Sequence, residues 1–334
     1  MAKFSERGPR TPVSHATRVD KVNPRARTVH TLVALVAVVV AIVTLLPVFV
    51  MGISAFKTRV DVMSSPPKIA FKPTLEGFML LLTDRAVANA ARQEELDQMV
   101  KSGKLNLFNR LALEAGMEIT GPSPYVFRLL NSIIIAGFST ICSVILGLLA
   151  AYAFSRFKVP GKDDLMFFIL STRMLPAVVV TIPLFLMYRQ LGLHDRHLGM
   201  IILYTVFNLS FSVWLLKGFI DEIPKEYEEA ALVDGYTRMQ AFFRIVLPQA
   251  VTGIAATTVF CLIFAWNEYA FALMMTSQRA RTAPPSIASM IGRGGLEWSA
   301  IAAGSLGFLI PVVIVTFALR RYLLRGITFG AIRG

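Results

Sequence analysis

Six long apolar runs, separated by short polar segments, constrain this sequence more than any other feature. A helix that crosses a lipid bilayer needs roughly 20 mostly apolar residues. The runs lie at residues 31–53, 126–154, 165–188, 198–220, 247–275 and 300–324. Only 16% of the residues are charged and the mean hydropathy is +0.60, whereas a soluble domain carries about 25% charged residues. The sequence therefore predicts an all-α polytopic membrane protein with six transmembrane helices.

The first apolar run raises the question of a cleavable signal peptide. Its length exceeds the ~7–15 residues of a signal-peptide core, and no small-residue cleavage site follows it. We therefore interpret residues 31–53 as an uncleaved first transmembrane helix.

The positions of lysine and arginine predict the orientation, because short cytoplasmic flanks of membrane helices are enriched in these residues. With six spans, three basic segments fall on one side: the N-terminal arm at 1–30, the segment after the second run, and the end of the sixth run with the tail at 325–334. The side chains concerned are Lys3, Arg7, Arg10, Arg18, Lys21, Arg25, Arg27, Arg156, Lys158, Lys162, Arg320, Arg321, Arg325 and Arg333. We expect both termini on the cytoplasmic side of a bacterial inner membrane. Arg279, Arg281 and Arg293 depart from the rule.

Composition excludes several classes of function. The net charge of +13 flanks the apolar runs and does not gather on one face, so it does not indicate a nucleic-acid partner. Cys142 and Cys261 lie inside apolar runs, which excludes a disulfide framework and a zinc site. His194 and His197 could bind a metal, but no cysteine or second pair joins them, so a solvated loop without metal is predicted. The spans hold no catalytic constellation of an intramembrane enzyme.

The segment between the first two runs, residues 54–125, is expected outside the membrane. Its part from 84 to 113 is rich in helix-forming residues and lacks proline, which predicts one or two helices. Gly121, Pro122 and Pro124 then interrupt the chain before the second run. Two interpretations stay open for this segment: a solvated cap on the outer face, or a contact surface for an external partner.

The loop at 223–247, between the fourth and fifth runs, predicts a helix–turn–helix on the cytoplasmic face. Pro224 suits a first helical position, and Gly235 can end a first helix at 225–234 in the left-handed conformation. Thr237 can cap a second helix at 238–245, and Pro248 then opens the fifth span.

Two properties of this loop indicate that a protein docks on it. Ala230 and Ala231 are small, so another chain can approach closely. Glu226, Glu228 and Glu229 form an acidic face, and an acidic face gains nothing from anionic lipid. We therefore expect a basic protein partner.

The same loop resembles a known family. Glu229-Ala230-Ala231 is followed by Gly235 and then by the run from Ile245 to Pro248, which matches the EAA-x3-G-x9-I-x-L-P signature of ATP-binding-cassette importer permeases. The resemblance implies a type I importer permease fold, with a five-helix core at 126–324 and a coupling loop at 223–247. The residues it assigns to ATPase coupling are Glu229, Ala230, Ala231, Gly235, Ile245, Leu247 and Pro248.

Further segments are similar to carbohydrate importer permeases, in particular the smaller, maltose-type permease. They are residues 127–132, 150–157, 173–176, 266–269 and the tail at 325–334. The resemblance implies a permease for a sugar or polyol that forms half of the translocation path. It also implies three kinds of partner: a second, non-identical permease, an ATPase dimer and an external solute-binding protein.

The sequence itself carries no phosphate-binding loop. Gly161-Lys162 is followed by Asp163 and lacks the glycine that such a loop needs five residues earlier. We therefore expect that this subunit is not an enzyme, binds no cofactor and relies on ATP used by the partner ATPase.

Three polar residues within the spans are candidates for the translocation path. Arg173 lies well inside the third run, where a charge usually faces the bundle interior or a water path; a side chain that reaches out to water is the alternative. Asn267 and Glu268 lie near the outer end of the fifth run. They can form a polar rim of the path or stand among the lipid headgroups beside Trp266 and Tyr269.

An alternative function is an ion-gradient-driven secondary transporter. Such a protein needs a buried carboxylate for ion coupling, and Glu268, the one candidate, lies at the wrong depth. Pro176, Pro183 and Pro311 could mark the broken helices of such transporters, but we interpret them as ordinary kinks.

Overall fold

The computed structural model describes residues 24–87, 106–114, 116–292 and 295–329. The chain divides into two units, Met1–Val50 and Met51–Gly334. In the described part, four helices are long and apolar enough to cross a membrane, and the number rises to six if each of two bent helix pairs is one span. The predicted basic residues before position 24 and the tail beyond 329 lie outside the described residues.

The first unit is described from Pro24 onward and consists of helix α1, Pro24–Ser54, whose last turn belongs to the second unit. The most apolar window of its part Val29–Ser54 has a mean hydropathy of 3.1. Pro47 lies inside the helix. Thr44 satisfies its hydroxyl within the helix, by donating to the carbonyl of Val40 at 2.8 Å. The first predicted span is thus a single helix.

The described part of the second unit is built from helices with two small two-stranded antiparallel sheets. In chain order its elements are α2 (Arg59–Val62), α3 (Glu76–Leu82), β1 (Thr83–Val87), α4 (Leu107–Glu114), β2 (Met117–Pro122), α5 (Tyr125–Arg156), α6 (Lys162–Ser171), α7 (Ala177–Gln190), α8 (His197–Asp221), α9 (Glu226–Val233), α10 (Arg238–Ala241), α11 (Leu247–Gln249), α12 (Val251–Trp266), α13 (Ala270–Met275), α14 (Ala283–Ala288), β3 (Ile291–Gly292), β4 (Gly295–Leu296) and α15 (Trp298–Phe329).

Helices α5 and α8 run side by side and form the centre of the bundle, with α12 against both. Gly147 of α5 permits the close approach, because a Cβ atom there would lie 2.4 Å from the Cβ atom of Ser212 on α8. The Ser143 hydroxyl lies 2.6 Å from the carbonyl of Ser139 and 3.2 Å from that of Thr205 on the facing helix. Small and hydroxyl-bearing residues are typical of contacts between helices in membranes.

The third predicted span, 165–188, is wrong as a single helix. A 3₁₀ turn, Thr172–Met174, follows α6, and a bend of 92° separates the segment Lys162–Met174 from α7. Leu175 is extended, with ψ 123°, because the ring of the following Pro176 disfavours the helical conformation at this position. Pro176 therefore breaks the span, whereas Pro183 and Pro311 lie inside continuous helices.

The fifth predicted span, 247–275, also differs from the prediction. A bend of 73° separates the helical segments Arg238–Gln249 and Val251–Trp266, so the apolar helix begins at Val251 and not at Leu247. It ends at Trp266, and the short helix α13 follows after a break. Pro248 belongs to the short helix α11 that precedes the bend.

Residues 84–87 form a strand and not the expected helix. β1 pairs antiparallel with β2, and Thr83 lies opposite Pro122. The backbone N–H and C=O groups of β1 therefore form hydrogen bonds with β2, which lies near the other end of the 54–125 segment. This pairing, and not the helix-forming composition, decides the structure of residues 84–87. The helix α4 agrees with the prediction for 107–113, and residues 88–105 lie outside the described residues.

The segment before α5 packs against the beginning of α15. Met79, Leu80, Ala112, Met117 and Ala300 form a buried apolar cluster. Next to it the buried carboxylate of Glu297 lies 3.0 Å from the Arg85 guanidinium and 4.0 Å from that of Arg59.

Candidate functional site

The loop at residues 223–247, which we call the hairpin, has the helix–turn–helix shape that its sequence predicts. Gly235 ends the first helix in the left-handed conformation, with φ 88°. The Thr237 hydroxyl accepts from the backbone N–H of Gln240 at 3.3 Å, and the Gln240 side chain accepts from the Thr237 N–H at 2.8 Å, which completes a capping box. The second helix passes into a π-helical turn, Phe242–Val246. Pro224 lies outside the first helix, before its N-cap Lys225, so the expectation of a first helical position is wrong.

Helix α9 has two distinct faces. Glu226, Glu229, Ala230 and Val233 are exposed and share one face, because residues three and four apart are neighbours on a helix. We call these four residues the docking face. It combines two carboxylates with a small residue and an 88% exposed valine, so it offers both charge and apolar area to a partner.

Glu228 and Ala231 lie on the opposite face, which corrects two expectations. Glu228 is buried and forms an ion pair with Arg156 of α5. It is therefore not part of a free acidic face. Ala231 is 5% exposed, so a large side chain there would disturb the packing of this chain before it met a partner. Ala230 is the alanine that permits close approach from outside.

The second half of the hairpin packs into the end of the bundle. Its buried cluster joins α5, α8 and the π-helical turn through Leu148, Ala151, Leu216, Ile220, Ile223, Phe242, Val246 and Ala250. Leu247 packs against this cluster, whereas Ile245 is half-buried and Pro248 is exposed. These three residues of the signature fix the end of the hairpin at the bend before α12 and do not belong to the docking face.

A cavity of about 300 Å³ lies between the 3₁₀ turn and helices α8, α12 and α13, and it brings together Arg173 and Glu268. Arg173 donates to the carbonyl of Phe207 at 3.2 Å, and its guanidinium carbon lies 4.2 Å from the ring centroid of Phe264. Within the described residues Arg173 has no ion pair. The guanidinium is thus held by a carbonyl and a ring and can offer further donors to the cavity.

Glu268 is held by three donors at the other side of the cavity. Its carboxylate accepts from the Tyr204 hydroxyl at 2.8 Å and from the backbone N–H groups of Phe271 and Ala272 at 2.8 and 3.0 Å. It therefore caps α13 as well as lining the cavity. Asn267 is exposed, donates to the carbonyl of Ile263 at 2.9 Å and does not line this cavity.

Tyr204 and Asn208 also line the cavity, although neither is among the residues predicted from the sequence. They lie one helical turn apart on α8, and Asn208 donates to the Cys261 carbonyl at 3.1 Å. Two polar residues at a spacing of four within an apolar run were a usable signal, because such residues face the bundle interior. The aromatic walls, Phe207, Phe264 and Phe271, had no signal, since phenylalanine is common throughout the spans.

A second group of contacts, which we call the clasp, closes the end of the bundle opposite to the hairpin. The carboxylate of Asp195 accepts from the four backbone N–H groups of residues 277–280, at 3.0 to 3.1 Å. Burial of Asp195 would raise its pKa, but these four donors outweigh it, so the pKa lies below the usual 3.8. Asn131 of α5 donates to the carbonyls of Arg279 and Arg281, both at 2.9 Å.

The histidines of the 194–197 loop belong to this end. The His197 Nε2 atom lies 2.7 Å from Asn131 Oδ1, and His194 stands edge-on to Phe185. In the part of the chain that the structure describes, no group of three or more potential ligands could hold a metal ion.

Comparison of the whole sequence with known protein families gives a result that agrees with a helical bundle carrying a hairpin at one end. Residues 143–329 match the family of inner membrane components of binding-protein-dependent transport systems. The chain belongs to this family. The match begins inside α5 and ends in α15, so it includes the hairpin, the cavity and the contacts of Asp195 with residues 277–280. Asn131, the α5 residue of the clasp, lies before it.

Relatives with assigned names are permeases as well. The trehalose transport system permease SugB of Mycobacterium tuberculosis is 37% identical over 209 residues, which are 62% of this chain and 76% of that protein. The trehalose/maltose transport system permease MalG of Thermococcus litoralis is 34% identical over 206 residues, 61% of this chain and 74% of that protein.

Solved structures show the same architecture. A chain of a bacterial ABC transporter that imports the acidic polysaccharide alginate matches with a TM-score of 0.63 at 19% identity, over 90% of this chain and 98% of that chain. The protein therefore has the helical, polytopic fold of an ABC importer permease. The alternative of an ion-gradient-driven secondary transporter finds no support in any of these comparisons.

Proposed function

We propose that this chain is a permease subunit which forms half of the translocation path of a sugar or polyol importer and couples to a separate ATPase through its hairpin. The observation that carries the proposal is the docking face. It lies on α9, a short helix at the end of the bundle that exposes Glu226, Glu229, Ala230 and Val233 while its other face is fixed to α5. A partner that binds there can move the bundle, because the hairpin is anchored in it.

The energy for transport comes from the partner in this proposal. The sequence has no phosphate-binding loop, so the subunit is not an enzyme and binds no cofactor, and ATP is used by the ATPase dimer. The expected assembly further contains a second, non-identical permease and an external solute-binding protein. The chain crosses the bacterial inner membrane six times, and both termini and the hairpin face the cytoplasm.

The substrate class is supported by the relatives and by the chemistry of the cavity. The two relatives are named for trehalose and for trehalose and maltose. The cavity joins the guanidinium of Arg173 and the carboxylate of Glu268 to three phenylalanine rings. Hydroxyl groups of a sugar suit the polar atoms, and its C–H faces suit the rings. Arg173 and Glu268 are thus the proposed path residues of this subunit, and Asn267 contributes at most to its rim.

The docking face provides the test of the proposal. Glu229→Lys places a positive charge opposite the basic surface expected of the partner and therefore repels it. Ala230→Trp places a large side chain where the partner would have to approach closely. Glu222→Lys makes the same charge change at an exposed site between α8 and the hairpin and serves as the control. The subunit is expressed with the ATPase and the other subunits of its transport system, and co-purification of the ATPase and ATP-dependent uptake into vesicles are measured.

We expect Glu229→Lys and Ala230→Trp to lower co-purification and uptake at least tenfold, while Glu222→Lys leaves both near the wild-type level. Wild-type binding of the ATPase by both docking-face variants would contradict the proposed role of α9. Absence of any ATPase from the wild-type preparation would contradict the proposed function itself.

A further inference from the structure

Glu228 is a buried carboxylate in the hairpin, and it does not belong to the docking face. Its carboxylate is paired with the Arg156 Nε atom through one oxygen and accepts from the Tyr152 hydroxyl through the other, at 2.9 Å. The Arg156 and Glu228 side chains are 5% and 9% exposed. Since both carboxylate oxygens have donors and the two charges balance, the group is complete and is held away from water.

The same arginine binds the beginning of the hairpin and the end of α8. Its Nη2 atom donates to the carbonyl of Ile223 at 2.9 Å, and its Nη1 atom donates to the Ser155 hydroxyl at 2.9 Å. Ser155 in turn donates to Asp221, the last residue of α8, at 2.5 Å. Arg156 therefore joins three elements, α5, α8 and the hairpin, at one point.

Both charges also suit the helices that carry them. Arg156 is the last residue of α5, where a cation is favourable against the helix dipole, and Glu228 lies in the first turn of α9, where an anion is favourable. On the far side of Glu228, the Tyr152 ring packs against the ring of Phe242, with centroids 4.7 Å apart. Tyr152 thus contacts both halves of the hairpin.

This linkage connects the hairpin to a helix that is not its neighbour in the chain. The hairpin is covalently continuous with α8 and with α11, whereas Arg156 and Glu228 are 72 residues apart. Helix α5 is a single helix of 32 residues without proline, roughly 48 Å long at the helical rise. A displacement of its hairpin end therefore moves its other end.

The other end of α5 carries the clasp. Asn131 binds the carbonyls of Arg279 and Arg281, and the Ser132 hydroxyl accepts from the backbone N–H of Ala283 at 2.9 Å. One helix is therefore hydrogen-bonded to the hairpin at one end and to the 279–283 segment at the opposite end.

We propose that Tyr152, Arg156 and Glu228 form a tether through which movement of the hairpin drives α5 and, with it, the clasp. Glu228 is a positioning residue of the coupling, distinct from the docking face. The proposal rests on the proposed function, since it assumes that an ATPase moves the hairpin. Its consequence is that breaking the tether separates ATP hydrolysis from transport while the ATPase stays bound.

The test uses the complete transporter in vesicles. Glu228→Gln removes the charge and keeps the shape, Tyr152→Phe removes one hydrogen bond and keeps the ring, and the exchange Arg156→Glu with Glu228→Arg reverses the pair. Glu222→Gln, the same chemical change at an exposed site, is the control. The measurements are co-purification of the ATPase, ATP hydrolysis, uptake, and the response to ATP of a fluorophore attached to Phe127→Cys, an exposed position near the clasp end of α5.

We expect Glu228→Gln to keep the ATPase and its hydrolysis but to lower uptake per ATP at least tenfold and to abolish the fluorophore response. Tyr152→Phe should lie between this variant and the wild type. The exchanged pair should recover more uptake per ATP than Glu228→Gln, and Glu222→Gln should match the wild type.

Wild-type uptake per ATP in Glu228→Gln would overturn the tether and leave the proposed function intact. Loss of the ATPase from Glu228→Gln would overturn it as well, because Glu228 would then act in docking. If Glu228→Gln does not fold, Tyr152→Phe decides, and wild-type uptake per ATP in that variant overturns the tether. Failure of the wild-type subunit to bind any ATPase would be a failure of the proposed function and not of the tether.

Discussion

Single residues of the hairpin act through backbone conformation as much as through chemistry. Gly235 has a φ of 88°, a conformation that costs a residue with a Cβ atom energy even where space is free. Among the described residues, no atom outside Gly235 and its two chain neighbours lies within 4 Å of the position that a Cβ atom would occupy there. The requirement for glycine here is therefore conformational and not steric.

The alanine variants of Gly235 and Gly218 separate these two effects. Gly218 lies in α8, and beyond the backbone of that helix a Cβ atom there would likewise have no atom of the described residues within 4 Å. We expect Gly235→Ala to destabilise the protein by about 1–2 kcal/mol. Gly218→Ala should be neutral or stabilising by up to about 1 kcal/mol. Melting temperatures in detergent measure both. Equal shifts of the two variants would show that the turn does not depend on the left-handed conformation.

At the scale of elements, the bundle is held at its two ends by different chemistry. The hairpin end combines an apolar cluster with the buried Arg156–Glu228 pair. The clasp end uses Asp195, which itself has a positive φ of 53°, to gather the N–H groups of four consecutive residues. The clasp joins the α7–α8 loop to the segment after α13, two elements that are not adjacent in the chain.

The clasp makes stability depend on pH in a defined direction. Because the pKa of Asp195 lies below its usual value of 3.8, ionised Asp195 stabilises the folded state above that value, and this contribution is lost as the pH falls through the folded-state pKa. Asp195→Asn should lower the melting temperature by roughly 2–4 °C. The difference from the wild type should persist at every pH above 3.8 and shrink below it.

The control for this prediction is Asp164→Asn, at an exposed aspartate in the first turn of α6, at the other end of the bundle. Its melting temperature should stay within about a degree of the wild-type value. A deficit of Asp195→Asn that is unchanged between pH 5 and pH 3 would contradict the role given to the ionised carboxylate.

At the scale of the whole molecule, the proposed orientation follows from the number of spans. Counting each bent pair as one span gives six crossings, and α5 and α8 then run from the outside to the cytoplasm. In this proposed orientation the hairpin and the expected tail at 325–334 lie on the cytoplasmic side, and the clasp and the expected external segment at 54–125 lie on the other side. This arrangement places the docking face where an ATPase can reach it.

Reporter fusions test the orientation directly. A reporter that is active only in the cytoplasm should work after Gly334, and one that is active only outside should work within residues 84–113. A matched pair of fusions, in the hairpin after Asp234 and in the clasp after Gln278, should report opposite sides. Activity of the external reporter after Gly334 would contradict the six-span arrangement.

The sequence by itself determined the features whose signals are local. The apolar runs predict membrane helices because lipid offers no partner to backbone groups, and Gly235 and Thr237 predict the turn of the hairpin through their own conformational preferences. The signature from Glu229 to Pro248 indicates the family through a local signal as well, because all its fixed residues lie close together in the sequence. The bend at Pro176 had a local signal too, although it was interpreted as an ordinary kink.

Only the tertiary structure decided which side of each helix is buried against its neighbours and which is exposed. Glu228 and Glu229 are adjacent and chemically identical in the sequence, yet one is buried against Arg156 and the other is exposed, because the position of α5 fixes the rotation of α9. Arg173 and Glu268 meet in one cavity because the broken helix turns towards α8 and α13. These outcomes depend on contacts between residues distant in the chain, and a local pattern carries no information about such contacts.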